Sequence, residues 1–507
     1  MKNKFRTLLI LFFIFAAAAG SKYSFNKYRS LAYGQDTAFY LEFIARSADA
    51  DLPDRYSYIP SIGINFLGFT GSDGKLGIHK TLHLELVKYV FSFIYMLSGG
   101  KILAVLAFNA VLFFLPVFYL ALVHPFDNVF KSFCALAFSF LYLVYPSSLL
   151  ALTFDLRPRN LIAPVMLLSL ISIHFKRPLW EKLLLFGALF FIREEFILFA
   201  IPLMVYDYLT TRDKKHLLSF VRIWLLGILL VGIFINWAGY EYIPESNQIL
   251  KVFQYPQMRT LFTAGILVFP VVLFYVLKKQ ALDKIPSWVT AVVVIGFLNA
   301  PIFPELYFII EKGLPFSGFD TPLEYLLNML VISPQPMIFV FTSLLLLFVI
   351  FPNSIEKVIP KTIYLLFCFC AVFYVSRLNY QHSYDIYEKF GRPSKINLFP
   401  QQADDIFSLR ANTSQLDTYI LDDINTHQAF YDYGNSYVFH NLPWYLEPED
   451  VSGRAGLSLL EALLLEKIEY IVIQKSNREV IDAAFEKLNI TPLETLESER
   501  FIVYTIK

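Results

Sequence analysis

Cysteine is scarce in this chain. Only Cys134, Cys368 and Cys370 occur among 507 residues, all inside apolar blocks, which argues against a disulfide framework and a thiolate metal site. A surplus of one charge is missing too. The 43 Lys and Arg against 42 Asp and Glu leave a formal +1, so the total gives no footprint for nucleic acid. There are no tandem repeats and no low-complexity tract.

What the chain has in excess is apolar sequence. Hydrophobic residues make up 56% and aromatics 17%, above the roughly 45–50% apolar usage of ordinary soluble domains. The excess comes in long blocks, as in a chain solvated by lipid. Lys2, Lys4 and Arg6 precede the run LLILFFIFAAAAG. That pattern fits a cleaved signal peptide or an uncleaved first helix; the spans that follow favour the helix, with its N-terminus inside. A polar stretch over 21–81 reads as a large first external loop. Apolar blocks then run over 84–98, 101–123, 131–152, 161–175, 183–192, 195–210, 217–238, 258–277, 286–300, 337–352 and 362–376. Several are shorter than the ~20 residues of a straight span, which fits a bundle with re-entrant segments, and 84–98 reads as interfacial.

Basic loops order the topology. The segments 174–182, 210–216, 278–284 and 353–361 carry the lysines and arginines and are assigned to the cytoplasm. Alternation places 21–81, 153–160, 239–257, 301–336 and everything beyond about Val375 outside. For 174–182 and 210–216 to share a side, the apolar stretch between them must go in and come back. That makes Arg193, Glu194 and Glu195 an external turn between two short helices. From about Asn379 the periodicity changes. DTYILDD (417–423), IEYIVIQ (468–474) and RFIVYTI (500–506) read as strands; GLSLLEALLLEKI (456–468) and REVIDAAFEKL (478–488) read as amphipathic helices. The expected fold is a polytopic α-helical membrane domain over 1–378, of about ten to twelve helices, with a small extracytoplasmic α/β domain over 379–507.

Four segments carry a resemblance. They are Tyr33-Gly34-Gln35-Asp36 with Phe39; Asn65-Phe66-Leu67-Gly68 followed by His83; Tyr145-Pro146 then Phe154-Asp155-Leu156-Arg157-Pro158; and Arg193-Glu194-Glu195 between two apolar half-spans. In order and spacing, over roughly residues 30–240, they resemble a family of predicted membrane proteins known only as a domain of unknown function and grouped with the GT-C glycosyltransferases. The family usually has His at Arg157, a Lys-Glu-Asp-like turn at 193–195 and a shorter spacer before His83. The resemblance implies a prokaryotic cytoplasmic-membrane enzyme that moves a sugar from a polyprenyl-phosphate carrier to an extracytoplasmic glycan, lipid or protein acceptor.

Such chemistry needs a carboxylate to deprotonate the acceptor, or a divalent metal doing equivalent work, and cations for the leaving phosphate. Asp36 fits the first need; as a helix N-cap it would be purely structural. Asp155, Arg157 and Arg159 form a charged knot suited to phosphate, or pair with one another to pin the loop. Arg193, Glu194 and Glu195 interrupt an apolar run, where charges tend to face a cavity, unless they form a solvated turn. His83 joins the substrate-binding candidates. His79 and His83 share a helix face and make a weak metal candidate with Asp36 or Asp73; interfacial polar groups explain them as well. Asp422, Asp423, His427 and His440 gather near a strand end, a pattern usual for turn chemistry. The segment 301–336 suits a lid over a sugar or a plain connector. A lipid-linked-substrate transporter or flippase, and a non-catalytic scaffold, are the competing readings; no two similar halves are present to favour transport.

Overall fold

The structure, a computed structural model, describes residues 2–31, 36–48, 86–144, 156, 158–192, 197–237, 341–352, 360–366, 368–370, 372–374, 377, 403–413, 417, 419–422, 424–432, 436–438, 442 and 468–506. It divides into two compact units. One comprises Met1–Gly20, Ala110–Leu152 and Pro158–Ile396; the other comprises Ser21–Asn109, Thr153–Arg157 and Asn397–Lys507. The described residues are mostly helical, with one small sheet near the C-terminus.

In chain order the helices begin with α1 (Lys2–Arg29), α2 (Asp36–Ala48), α3 (Val87–Leu97), α4 (Ile102–Val123) and α5 (Val129–Val144). There follow α6 (Ile162–His174), α7 (Leu179–Ile192), α8 (Ile197–Thr211) and α9 (Lys214–Trp237). Helices α3 to α9 fall on the apolar blocks from 84 to 238, whereas α1 runs on to Arg29 and α2 lies within the stretch 21–81 that hydropathy reads as a polar loop; 258–277, 286–300 and the expected helix 456–468 lie outside the described residues. Among the described residues two helices, Asn3–Arg29 and Ile102–Val123, are long and apolar enough to cross a membrane. At 1.5 Å per residue, α4 extends about 33 Å, against the ~30 Å of a hydrocarbon core.

Local chemistry sets the helix ends. The Asn128 side chain accepts from the Phe130 amide at 2.9 Å, and Asp213 accepts from the Lys215 amide at 2.8 Å. Both are N-terminal caps, and they start α5 and α9 earlier than hydropathy alone suggests. Pro178, just ahead of α7, likewise draws that helix into the expected basic loop. In the first unit Tyr142 donates to the Phe113 carbonyl at 2.7 Å. Phe113 stacks on Tyr142 and Phe341 meets Tyr142 edge-on, which ties α4, α5 and the helical segment Phe341–Ile350 together.

The sheet belongs to the second unit. Its strands are β1 (Tyr419–Leu421), β2 (Ser436–Val438), β3 (Tyr470–Gln474), β4 (Glu494–Glu497) and β5 (Phe501–Thr505), in the order β2-β1-β3-β5-β4. The first three are parallel; β5 runs antiparallel to β3, and β4 antiparallel to β5. Short helices α10 (Asp404–Arg410) and α11 (Ile424–His427) precede and follow β1, and α12 (Arg478–Leu488) follows β3. Helix α12 ends on Asn489 in the left-handed region, with the Ile490 amide bonded back to Phe485. This is the usual C-terminal stop.

Strand alternation sorts the core into two layers. Ile420, Ile471, Ile473, Ile502 and Tyr504 face Ile481, Ala484 and Phe485 of α12. On the other face Tyr419, Leu421, Val472, Phe501 and Val503 pack with Ile406, Leu409, Phe430, Leu31 and Phe43. The sheet therefore takes part of its cover from α2, far upstream in sequence. Truncating a buried phenylalanine costs roughly 3–5 kcal/mol. Phe43→Ala should accordingly make β3 and β5 sensitive to limited proteolysis in the full-length protein; unchanged resistance would mean that α2 is dispensable to the sheet.

Candidate active site

The second unit holds the opening of α2 and the segment around Leu156. Helix α2 begins at Asp36. The next residue, Thr37, is fully buried, and its hydroxyl accepts from the Leu156 amide at 3.0 Å. Leu156 is itself 1% exposed and stands between Asp155 and Arg157. The residue that follows Asp36 and the one between Asp155 and Arg157 are thus joined by a buried hydrogen bond. The side chains of Asp36, Asp155 and Arg157 lie outside the described residues, as do Arg193, Glu194, Glu195, Asp73, His79, His83, Asp423 and His440. The backbone of Arg159 lies in the 3₁₀ turn Pro158–Leu161. Among the described residues no three His, Cys, Asp or Glu are grouped to hold a metal ion.

One and a half turns into α2 stands a polar group that the sequence reading passed over. Glu42 has no exposed surface. Its Oε1 accepts from Arg46 Nε at 2.9 Å, and its Oε2 lies 3.4 Å from Nε2 of His427. His427 closes α11 and is fully buried. On α3, Lys88 is 2% exposed and sets its ammonium over the Phe43 ring at 4.6 Å. The signal in the sequence was a Glu and an Arg at i, i+4 within an otherwise apolar helix.

Asp422 is fully saturated. Its carboxylate accepts from the Thr426 hydroxyl at 2.9 Å, the Gln474 amide at 2.6 Å and the Asn477 side chain at 2.9 Å. With no exposed surface, it locks the end of β1 to the end of β3. Asp405 does similar work across α10 and β5, accepting from Arg500 through both amide and guanidinium and from Ser498. Burial alone would raise its carboxyl pKa; the bonds from Arg500 and Ser498 outweigh that and hold it below the usual carboxylate range.

The first unit has its own buried charge. Lys182 of α7 meets Asp207 of α8 at 2.5 Å, their side chains 1% and 0% exposed. His216 of α9 shares Asp207 at 3.1 Å. Tyr119 of α4 donates to Glu181, which also pairs with Arg177 at 3.1 Å. Because Lys182 lies near the start of α7 and Asp207 near the end of α8, the two helices run antiparallel. The ends that flank 193–196 are therefore remote from this pair. The chain matches no protein-family model and no curated protein.

Breaking one side of a buried pair costs roughly 3–5 kcal/mol, whereas replacing both partners by apolar residues is often neutral. Lys182→Met should lower the thermal stability of the full-length protein more than the double change Lys182→Met/Asp207→Leu; equal losses would mean the pair is not coupled. Asp405 gives a pH prediction. Its folded pKa is depressed, so its stabilisation is present above the unfolded value of about 3.9 and is lost as pH falls through the lowered folded value. Pepsin cleavage of the sheet in intact protein should rise steeply as pH drops from about 5 to about 3, and Asp405→Asn should flatten that rise. Parallel profiles for the two proteins would exclude Asp405 as the titrating group.

Proposed function

We propose that this chain is a membrane-embedded glycosyltransferase that takes a sugar from a polyprenyl-phosphate carrier and passes it to an extracytoplasmic acceptor. The observation that carries the reading is the Thr37–Leu156 bond. It ties the helix that opens at Asp36 to the segment holding Asp155 and Arg157, the residues that the family resemblance marks. A carboxylate and a guanidinium on neighbouring segments are the minimum for this reaction. Asp36 takes the proton from the acceptor hydroxyl as that oxygen attacks the sugar's anomeric carbon. Arg157 holds the phosphate oxygens as the bond to the carrier breaks.

A polytopic membrane arrangement belongs to the same proposal, and three features of the first unit support it. Helices α1 and α4 have the length and composition of spans. Leu8, Leu11, Ile14 and Phe15 of α1 and Leu225, Leu229, Leu230 and Ile233 of α9 point outward, a large apolar exposure for a protein facing water. The basic flanks also gather at one end. Arg6 donates to the Ala121 carbonyl and covers Phe126; His124 meets Phe175; Lys361 covers Phe130 at the start of α5. Arg6 and Lys361, basic residues far apart in sequence, so lie against the adjoining ends of α4 and α5, in keeping with the positive-inside pattern. The buried Lys182–Asp207 pair within apolar helices gives transport of a lipid-linked substrate as the second reading.

Transfer from labelled polyprenyl-phosphate sugars, in membranes holding equal amounts of each protein, separates the two. General acid–base groups contribute about 10²–10⁴-fold, so Asp36→Asn should cut transfer by at least about 100-fold, while Arg157→Lys should weaken donor use. Wild-type membranes that consume no donor, or an Asp36→Asn protein as active as wild type, would sink the assignment and bring transport forward.

A further inference from the structure

Helix α2 does not need a charge to stay in place. Ala38, Leu41, Phe43, Ile44 and Ala45 are all buried, and Phe43 belongs to the core of the sheet. A leucine at position 42 would extend that apolar surface without the desolvation cost of a carboxylate. Glu42 stands there instead, with no exposed surface. Its Oε1 accepts from Arg46 within the helix, while its Oε2 faces Nε2 of His427 on α11 at 3.4 Å, an ion-pair contact longer than a hydrogen bond. Apolar contacts tolerate small rotations and slides of a helix, because they are non-directional. A buried carboxylate does not, since any slip strands it away from its donors in a low-dielectric core.

We propose that Glu42 and His427 are positioning residues: the pair fixes the rotation and register of α2 against the helix after β1, and so sets where its first turn, beginning at Asp36, is held. The C-terminal sheet thereby orients the segment that carries the proposed base, though His427 touches no substrate. The Thr37–Leu156 bond continues the same restraint to the start of α2, so one hydrogen bond and one buried polar contact within the first seven residues of α2 define its placement. That Asp36 reacts rests on the transferase reading; that the pair fixes α2 does not.

The test uses full-length protein in membranes and reads amide hydrogen exchange and sugar transfer together. Glu42→Leu should speed exchange across α2 by about tenfold or more while amides of β3 and β5 stay within about twofold of wild type. Glu42→Gln, which keeps the shape and an acceptor, should recover most of the protection. In transfer from labelled polyprenyl-phosphate sugar, Glu42→Leu should lower kcat with the donor KM little changed, as expected when alignment rather than binding is lost. Should Glu42→Leu fail to accumulate, His427→Gln makes the same comparison from the other side. The proposal is overturned if α2 exchanges as in wild type, or if the sheet loosens to the same degree as α2. Selective loosening of α2 in a protein whose wild type transfers no sugar would uphold the positioning role and remove only the transferase reading.

Discussion

A charge taken out of water has to be met by donors, and Asp207, Glu42 and Asp422 show how much of each unit hangs on that requirement. None of the three has exposed surface. An isolated carboxylate so placed would cost several kcal/mol even after relaxation, more than any single apolar contact around it returns. Each is therefore set among polar groups: Lys182 and His216 for Asp207, Arg46 on the same helix with His427 at 3.4 Å for Glu42, Thr426, Gln474 and Asn477 for Asp422. The apolar surface makes the helices and the sheet adhere. The carboxylates decide the arrangement in which they do so.

This division of labour explains what could be read from the sequence. Hydrophobic periodicity reports burial, so α4 to α9, β1, β3, β5 and α12 were legible from their own residues. Glu494–Glu497 was not, because the edge strand β4 is polar and mostly exposed, the composition that keeps an edge from pairing further. Ser436–Val438 was too short to show alternation. Helix starts at Leu179 and Lys214 were hidden by charged residues, since Pro178 acts through backbone geometry and Asp213 through a side-chain cap, neither of which hydropathy reports.

The candidate site divides along the same line. Asp36 stood out through the resemblance and its place after the first helix, and Asp155 and Arg157 as charges directly after an apolar span. That their segments meet was not legible: the Thr37–Leu156 bond joins a hydroxyl to a backbone amide, and neither group carries a sequence signature. Glu42 was missed for a related reason, and His427 was grouped with Asp422 rather than with it. A Glu–Arg pair at i, i+4 is the ordinary mark of a solvated helix face, and only the sheet packed over it turns the pair into an interior one.

The tail contributes more to α2 than a cover. Among the described residues α12 covers one layer of the sheet, and Leu31 and Phe43 join the opposite layer. Burial of Phe43 secures adhesion, while Glu42, the adjacent residue, secures direction through His427. Neighbouring residues on one helix thus separate two tasks that a purely apolar interface would merge. Adhesion alone would leave the first turn of α2 free to rotate by small steps. With the carboxylate held as well, the opening of α2 inherits the rigidity of the sheet, and a reactive group carried there would be held in one orientation without having to be buried itself.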